Sequence, residues 1–463
     1  MIAGFTLLSV LMWWHVWITG HPTSTLTCQC SDPGEEIWYL EWTPWAIAHL
    51  HNPLLSNAIF AGQGGANMLV NTSWIVFAAL FAPVTWIFGP IATFNVAVTL
   101  APVVSGWCFF LAARKVTRFV PGQVVAAALY GFSPTIVSSD PVGHFFLIWE
   151  FFPPLVFLCL HDLFVTRRHR PLLIGAALGL LVAVQFFSST ELLAIEGVIG
   201  AVGMVCAAVF SPIQAWARRR HILLGLGAGA VVSGVLLAYP AWFALDGPRR
   251  VVGLAWPATP GYGAPLSSVV SAGSGVTHGS DLLRLSGYYG NAGPVATYLG
   301  VGLLVFLAVS AALWFRNRLA WVFVVTGAVA WSLTLGPHLV PRRASTNGYW
   351  LPYRAIWRIP LLGQIVPVRF AALTGFAAAM LLALSADAWW RWGCERIAGR
   401  GPRPARGALD ARRVAVGVVV ACASAAVVIP IGLDYSLPYT VHRSEVPAWF
   451  TYVAPHLPGS SVV

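Results

Sequence analysis

The sequence predicts an all-α fold: a polytopic transmembrane helix bundle of about 11–13 segments, with an amphipathic helix in the first external loop. Three observations carry this expectation. Hydrophobic residues make up 58% of the 463 and charged ones 9%, against about 45–50% and 25% in soluble domains. Apolar runs close to the ~17–25 residues that a helix needs to cross a bilayer recur along the whole chain. The net charge of +11 is almost all arginine, Lys115 being the only lysine, and it lies in short clusters rather than in a nucleic-acid-binding stripe.

Taken in order, the runs are 2–19, 72–88, 92–113, 122–139, 145–164, 171–187, 192–210, 222–243, 296–315, 319–335, 369–388 and 414–432. The first has no basic flank and no A-x-A site, so it reads as a span and not as a cleaved leader. After it comes the motif Asp32-Pro33-Gly34-Glu35-Glu36. The next residues place Trp38, Trp42 and Trp45 at i, i+4 and i+7. A helix here turns a tryptophan stripe to the headgroups and leaves the carboxylates at the membrane surface.

Basic residues retained inside put Arg167–Arg170, Arg218–Arg220, Arg316–Arg318 and Arg391–Arg413 in the cytoplasm, neighbouring clusters being two spans apart. Outside then lie the turn Ser188-Ser189-Thr190-Glu191, the loops 244–295 and 336–368, and the tail 433–463. If residue 1 starts inside, the loop 20–71 is outside as well. Parity requires one early run to re-enter. The first choice is 122–139, interrupted by Gly131-Phe132-Ser133-Pro134, because Gly and Pro free backbone groups that only protein or a wet cavity satisfies. That choice leaves Arg114, Lys115 and Arg118 outside, against the charge rule. The other choice is 72–88, broken at Pro83. Residues 1–432 form one membrane module, and the tail reads as a clipped or degenerate external domain. Residues 257–280 read as a flexible loop, and Arg400-Gly401-Pro402-Arg403-Pro404 as a basic linker.

Cys108, Cys159, Cys206 and Cys422 fall inside apolar runs and read as small core residues. Cys28 and Cys30 sit beside Asp32; a disulfide across one residue is strained, and two free thiols are the alternative. Neither a zinc pattern nor a nucleotide-binding motif is present. Asn71-Thr72-Ser73 fits an N-glycosylation signal, but at the lip of a span a helix cap is the better reading.

Several polar groups carry chemistry, each with a plainer alternative. Asp32 suits a general base for a hydroxyl acceptor, with Glu35 or Glu36 orienting that acceptor or holding a divalent cation, Mg or Mn. The plainer reading is a solvated acidic loop at a helix N-terminus, where the macrodipole favours negative charge. His144 and Glu191 fall at outer span ends, where burial demands partners; for His144 a satisfied helix-end histidine is the alternative. His338, Arg354, Arg358 and Arg369 share one external loop. Arginine forks match phosphate oxygens, and snorkelling to headgroups is their plainer role.

The runs Asp32-Pro33 through Trp38 and Trp42 to His49, Asn52-Pro53, Asn67-Met68, Asn71-Thr72-Ser73, Phe88-Gly89-Pro90, Gly131-Phe132-Ser133-Pro134, Gly143-His144, Pro153-Pro154, Leu335-Gly336-Pro337-His338 and Ile359-Pro360-Leu361-Leu362 to Arg369-Phe370 resemble actinobacterial multi-pass proteins of the GT-C glycosyltransferase superfamily. The resemblance covers about residues 30–385. It implies an inverting transfer from a polyprenyl-phosphate sugar to an extracytoplasmic acceptor in the cell envelope (glycan, lipid or protein), with Asp32 as the base. The chain departs from the pattern in lacking an adjacent Asp-Asp or Asp-Glu pair and a C-terminal external domain. Two other functions compete: a lipid or glycan transporter, for which Glu150 or Glu196 would be the coupling carboxylate within a span, and an inactive scaffold.

Overall fold

The protein is described by a computed structural model over residues 1–26, 31–60, 62, 64–69, 73–139, 143–252, 262–271, 296–339, 350–398, 411–433, 435, 437–445, 448–453 and 456. The expectations on Cys28, Cys30, Asn71, Thr72, most of the loop 257–280, the basic linker and the last seven residues lie outside these.

Every one of the twelve apolar runs is helical in whole or part. The helices are α1 (Ile2–Met12), α2 (Trp14–Trp17), α3 (Ser31–Ala48), α4 (Ile75–Leu80), α5 (Ala82–Phe88), α6 (Pro90–Val116), α7 (Val120–Gly131), α8 (Pro134–Ser139), α9 (Phe145–Ile148), α10 (Phe152–His161, extended by a π turn to Thr166), α11 (Pro171–Ser188), α12 (Thr190–Phe210), α13 (Pro212–Asp246), α14 (Val301–Trp314), α15 (Arg318–Thr334), α16 (Tyr353–Trp357), α17 (Ala371–Ala398), α18 (Ala411–Leu433) and α19 (Ala448–Tyr452). Among the described residues, seven helices are long and apolar enough to cross a bilayer, and four more are apolar but shorter. The protein is a multi-pass membrane protein built as a helix bundle. Among the described residues, sheet is confined to two short antiparallel pairs, β1 (Thr25–Leu26) with β4 (His442–Arg443) and β2 (Leu55–Ser56) with β3 (Ala66–Asn67).

The structure corrects the preferred re-entrant run. Residues 120–139 form one span-length, largely buried rod, α7 running into α8, whereas 75–88 is cut into two short helices at Phe81. The 6 and 7 residues of these two helices together rise about 20 Å, short of the ~30 Å hydrocarbon layer. The Gly131–Pro134 break survives in the rod because its freed groups are met by protein: Ser133 N–H donates to Tyr130 O at 3.2 Å, and the Tyr435 hydroxyl donates to Phe132 O at 3.0 Å.

Arg114, Lys115 and Arg118 lie with the other arginines at one end of the bundle, as the choice of 72–88 for re-entry expects. There Asp387 Oδ1 accepts the N–H groups of Arg118 and Phe119 at 2.8 and 3.0 Å, and Arg391 pairs with its Oδ2 at 3.0 Å. Arg218 donates to Val165 O at 2.8 Å, and Arg318 to Ser211 Oγ at 3.4 Å. The opposite end carries Arg369, just ahead of α17. The ~16 residues of α17 between its start and Asp387 rise about 24 Å, close to a bilayer.

A further expectation changes. The tryptophan stripe of α3 does not face lipid as a whole: Trp42 is 9% exposed and packs with Leu54, Met68 and Phe243, and only Trp45, 40% exposed, looks outward. Its rings stack on one another at 5.6 and 5.3 Å, which stiffens the helix. The described part of the tail also returns into the bundle. Tyr439 donates its N–H to Met12 O at 2.9 Å and its hydroxyl to Val137 O at 2.9 Å, and β4 pairs with the loop that precedes α3.

Helices α11 and α13 meet backbone to backbone. A Cβ added at Gly175 or Gly179 would lie 2.1 Å from Gly225 O or 2.5 Å from Gly229 O, a small-residue contact that lets two membrane helices approach closely. We expect Gly179→Val to lower the melting temperature by about 1–3 °C, because overpacking of this kind costs about 1–3 kcal/mol and each kcal/mol moves the midpoint of a chain this long by about 1 °C. Thermal unfolding in detergent checks this, and an unchanged midpoint would remove the contact from the account.

Candidate functional site

The first turn of α3 carries Asp32, and its Oδ2 lies 2.7 Å from His144 Nε2. The approach needs Gly143. That residue has φ of 71°, and a Cβ on it would meet the Phe94 ring at 2.9 Å and Pro33 Cα at 3.4 Å. Only glycine tolerates both the left-handed backbone and the close pass of α3. His144 then starts α9 and points back at the carboxylate. Burial pushes the His144 imidazole below its ordinary value; the hydrogen bond to Asp32 opposes that shift, and the charge of Arg369 adds to it. A neutral ring facing a carboxylate donates its Nε2–H.

That shift has a consequence for stability. A histidine whose folded value is depressed contributes stability above its unfolded value, near 6.5, and loses it as pH falls below. We expect the melting temperature of the wild type to fall more steeply than that of His144→Gln between pH 7.5 and about 5.5. Parallel curves would contradict the depressed value.

The three neighbouring carboxylates divide. Asp32 is half exposed at 46%. Glu35 is exposed and accepts a hydrogen bond from the Tyr39 hydroxyl. Glu36 turns inward: it is 5% exposed, its Oε2 meets no partner among the described residues, and burial first, then Glu35 and Asp32, hold its carboxyl well above the usual range. So Glu36 is buried with its charged form disfavoured, while Asp32 is the carboxyl group that reaches the site.

A second cluster forms where α12 meets the segment leading to α17. Ser189 caps α12 by accepting from Leu192 N–H at 3.1 Å, which sets Glu191 in the first turn, where the helix dipole favours a carboxylate. Glu191 Oε1 accepts the Val366 N–H at 2.6 Å, and Oε2 accepts from Arg369 Nη1. This pairing makes Glu191 the anchor of the loop, and it uses one of the five N–H donors of Arg369. The guanidinium also lies over the Phe146 ring, 4.7 Å from its centroid. The His144 ring packs on that same Phe146 at 5.5 Å, which brings the two clusters together.

Of the residues singled out in the sequence, Asp32, His144, Glu191 and Arg369 therefore converge. His338 and Arg354 pair with each other, Nδ1 to Nη2 at 3.1 Å, Arg354 Nε also donating to Pro337 O at 2.8 Å; their described contacts lie outside that centre. Arg358 is exposed on the surface. Among the described residues no three His, Cys, Asp or Glu side chains assemble as a metal-ligand set, and Asp32 with His144 supplies two donors. Phe146, Ser189 and Val366 escaped the sequence reading; nothing in a chain with 26 phenylalanines marks the one that joins the clusters.

Below the Glu191–Arg369 pair lies an apolar slot of about 140 Å³ between α10, α12, α15 and α17. Its wall runs from Glu196 and Leu373 past Gly203 and Phe323 to Leu319 and Phe164. Glu196 stands five residues after Glu191, so the slot begins about 7.5 Å beneath the pair and continues about 16 Å along α12.

No protein-family model matches the chain, and no curated protein does. Among solved structures it is similar to the arabinofuranosyltransferase AftD from mycobacteria, at 15% identity and a TM-score of 0.41 over 94% of this chain and 27% of that one. It is similar to ArnT from Cupriavidus metallidurans, solved bound to undecaprenyl phosphate, at 14% identity and a TM-score of 0.45 over 93% of this chain and 72% of that one. It is also similar to the Archaeoglobus fulgidus oligosaccharyltransferase, solved with a tethered acceptor peptide, at 13% identity and a TM-score of 0.47 over 97% of this chain and 56% of that one. The chain thus corresponds to about a quarter of AftD and just over half of the oligosaccharyltransferase.

Proposed function

We propose that the protein is an inverting glycosyltransferase of GT-C type that moves a sugar from a polyprenyl phosphate to an acceptor outside the cytoplasm. One observation carries the reading: a carboxylate and a guanidinium come together at the end of the bundle opposite the arginine clusters, and an apolar slot begins about 7.5 Å further along α12. A lipid-linked sugar needs those three features together. Its prenyl chain enters the slot, its phosphate meets Arg369, and its sugar lies towards Asp32. Asp32 takes the proton of the acceptor hydroxyl as that oxygen bonds to the anomeric carbon. The bond from that carbon to the phosphate oxygen breaks, and the electron pair leaves with polyprenyl phosphate, whose growing negative charge Arg369 stabilises. The basic clusters face the cytoplasm on the positive-inside rule, so the site faces out.

A transporter is favoured by a separate observation, the carboxyls within the bundle. Glu196 stands in the slot wall, and Glu150 is 3% exposed, its backbone carbonyl accepting from the Tyr130 hydroxyl at 2.6 Å. Purified protein in vesicles, given polyprenyl-phosphate sugars and hydroxyl acceptors, separates the two. Release of polyprenyl phosphate in step with glycosylated acceptor supports transfer, whereas intact donor crossing the membrane without release supports transport and overturns the enzyme reading.

A further inference from the structure

We propose that the arginine-side end of the apolar slot is a binding site for an anionic phospholipid of the leaflet which the arginine clusters face, with one acyl chain held in the slot. The chemistry of the lining carries this. A prenyl chain is hydrocarbon throughout, yet the slot ends on a polar ring: His161, the last residue of α10, lines it and is 9% exposed. Among the described residues, His161 packs on the Phe157 ring at 5.5 Å, and no group hydrogen-bonds its ring nitrogens. A buried imidazole without partners is costly, and the slot leaves room for one. Thr326 in the same wall makes no such demand, because its hydroxyl donates to Val322 O at 2.8 Å.

The charge that an anionic headgroup needs stands at the same end. Arg218 donates to the carbonyls of Phe164 and Val165, both lining residues, the second at 2.8 Å. Arg318 is exposed directly before Leu319, another lining residue, and opens α15, whose N-terminus favours an anion. Val165 is 49% exposed, so the lining reaches the protein surface here. Asp162, the carboxylate next to His161, is engaged by its own turn, on the His169 ring at 2.8 Å and the Arg168 N–H at 3.1 Å.

Depth fits as well. Six residues separate His161 from Arg167, so the imidazole lies within about 9 Å of the basic rim. The polar layer of a bilayer is about 5–8 Å deep on each side. With its phosphate at the arginines, a phospholipid brings its ester carbonyls to that depth, where they accept the N–H of a neutral imidazole. Basic pockets between helices on the cytoplasmic side suit such headgroups.

The test reconstitutes the full chain, without donor, in phosphatidylcholine vesicles, and adds phosphatidylglycerol or phosphatidylcholine spin-labelled on one acyl chain. The immobilised label should favour phosphatidylglycerol at least about tenfold, and either Arg218→Gln or Arg318→Gln should remove about fivefold of that preference. Gly203→Leu narrows the slot, the added Cβ meeting only Thr326 Cγ2 at 3.5 Å. His161→Phe keeps the ring without its nitrogens, and it carries the test if Gly203→Leu does not fold. Each should abolish most of the preference, while His161→Phe holds or raises the thermal midpoint in phosphatidylcholine, which a merely structural histidine would not do. A preference that survives both variants is attraction of headgroups to the basic surface alone, and overturns the site. Equal immobilisation of the two lipids does the same, as does displacement of the labelled lipid by soluble glycerophosphate, the mark of a free-anion site. No step of this depends on the glycosyltransferase reading. On that reading a prenyl chain enters the slot from its other end, so added phosphatidylglycerol should also weaken donor binding; if the label results hold and donor binding does not change, the donor's place in the slot is wrong and the phospholipid site stands.

Discussion

Asp32→Asn should reduce sugar transfer by about 10²- to 10⁴-fold while donor binding persists. Asparagine keeps the shape of the side chain, and its carbonyl oxygen still accepts the His144 Nε2–H now found at 2.7 Å. What it loses is basicity, the property that removes the acceptor proton. Glu36→Gln is the useful contrast. Glu36 is buried and its charged form is disfavoured there, so an amide should fit with turnover near that of the wild type. Turnover and donor binding measured on both variants decide the matter. Wild-type turnover in Asp32→Asn would remove the base, and a loss confined to Glu36→Gln would move that role one turn along α3.

Arg369→Gln should act mainly on donor binding, weakening it by roughly 10- to 100-fold, because a charge-assisted hydrogen bond to a phosphate contributes about 1.5–3 kcal/mol. The Glu191 contact complicates this variant, since losing the arginine leaves a half-buried carboxylate with the Val366 N–H as its remaining described donor. Glu191→Gln separates the two effects. It keeps a hydrogen-bonding amide beside Val366 and releases the guanidinium, so donor binding should hold or tighten while the loop loses thermal stability. Equal weakening of donor binding in both variants, measured by titration with a polyprenyl phosphate, would show that Arg369 acts through the loop and not on the phosphate.

Much of this could be read from the chain because membrane burial punishes unpartnered polar groups. Asp32, His144, Glu191, His338 and Arg369 each lie at an outer span end, and residues at such ends must find partners; four of them come together, while the described partner of His338 is Arg354. What escaped was set by contacts between distant parts of the sequence. The Gly131–Pro134 break looked like the re-entrant point, yet the hydroxyls of Tyr435 and Tyr439, some 300 residues away, satisfy the carbonyls of Phe132 and Val137. The other candidate run is cut in two at Phe81, two residues before Pro83. Periodicity placed Trp38, Trp42 and Trp45 on one face of α3 but said nothing about what covers it. The cover is Leu54, Met68 and Phe243 beside the β2–β3 pair, and Asn67 Nδ2 of β3 donates to Phe243 O at 2.9 Å. Likewise Asp32 and Glu36 are one helical turn apart in an acidic motif; only packing shows that one reaches the site and the other is buried.

The central claim is that a base, a phosphate-binding arginine and a lipid slot form one site, and a structure of the protein with a polyprenyl phosphate bound tests it most directly. The account predicts phosphate oxygens about 3 Å from the Arg369 guanidinium, the prenyl chain running between α10 and α12 past Gly203, and open space on the Asp32 side of the phosphate for a sugar. A phosphate seated instead among the arginines at the opposite end, or a prenyl chain lying outside the slot, would contradict it.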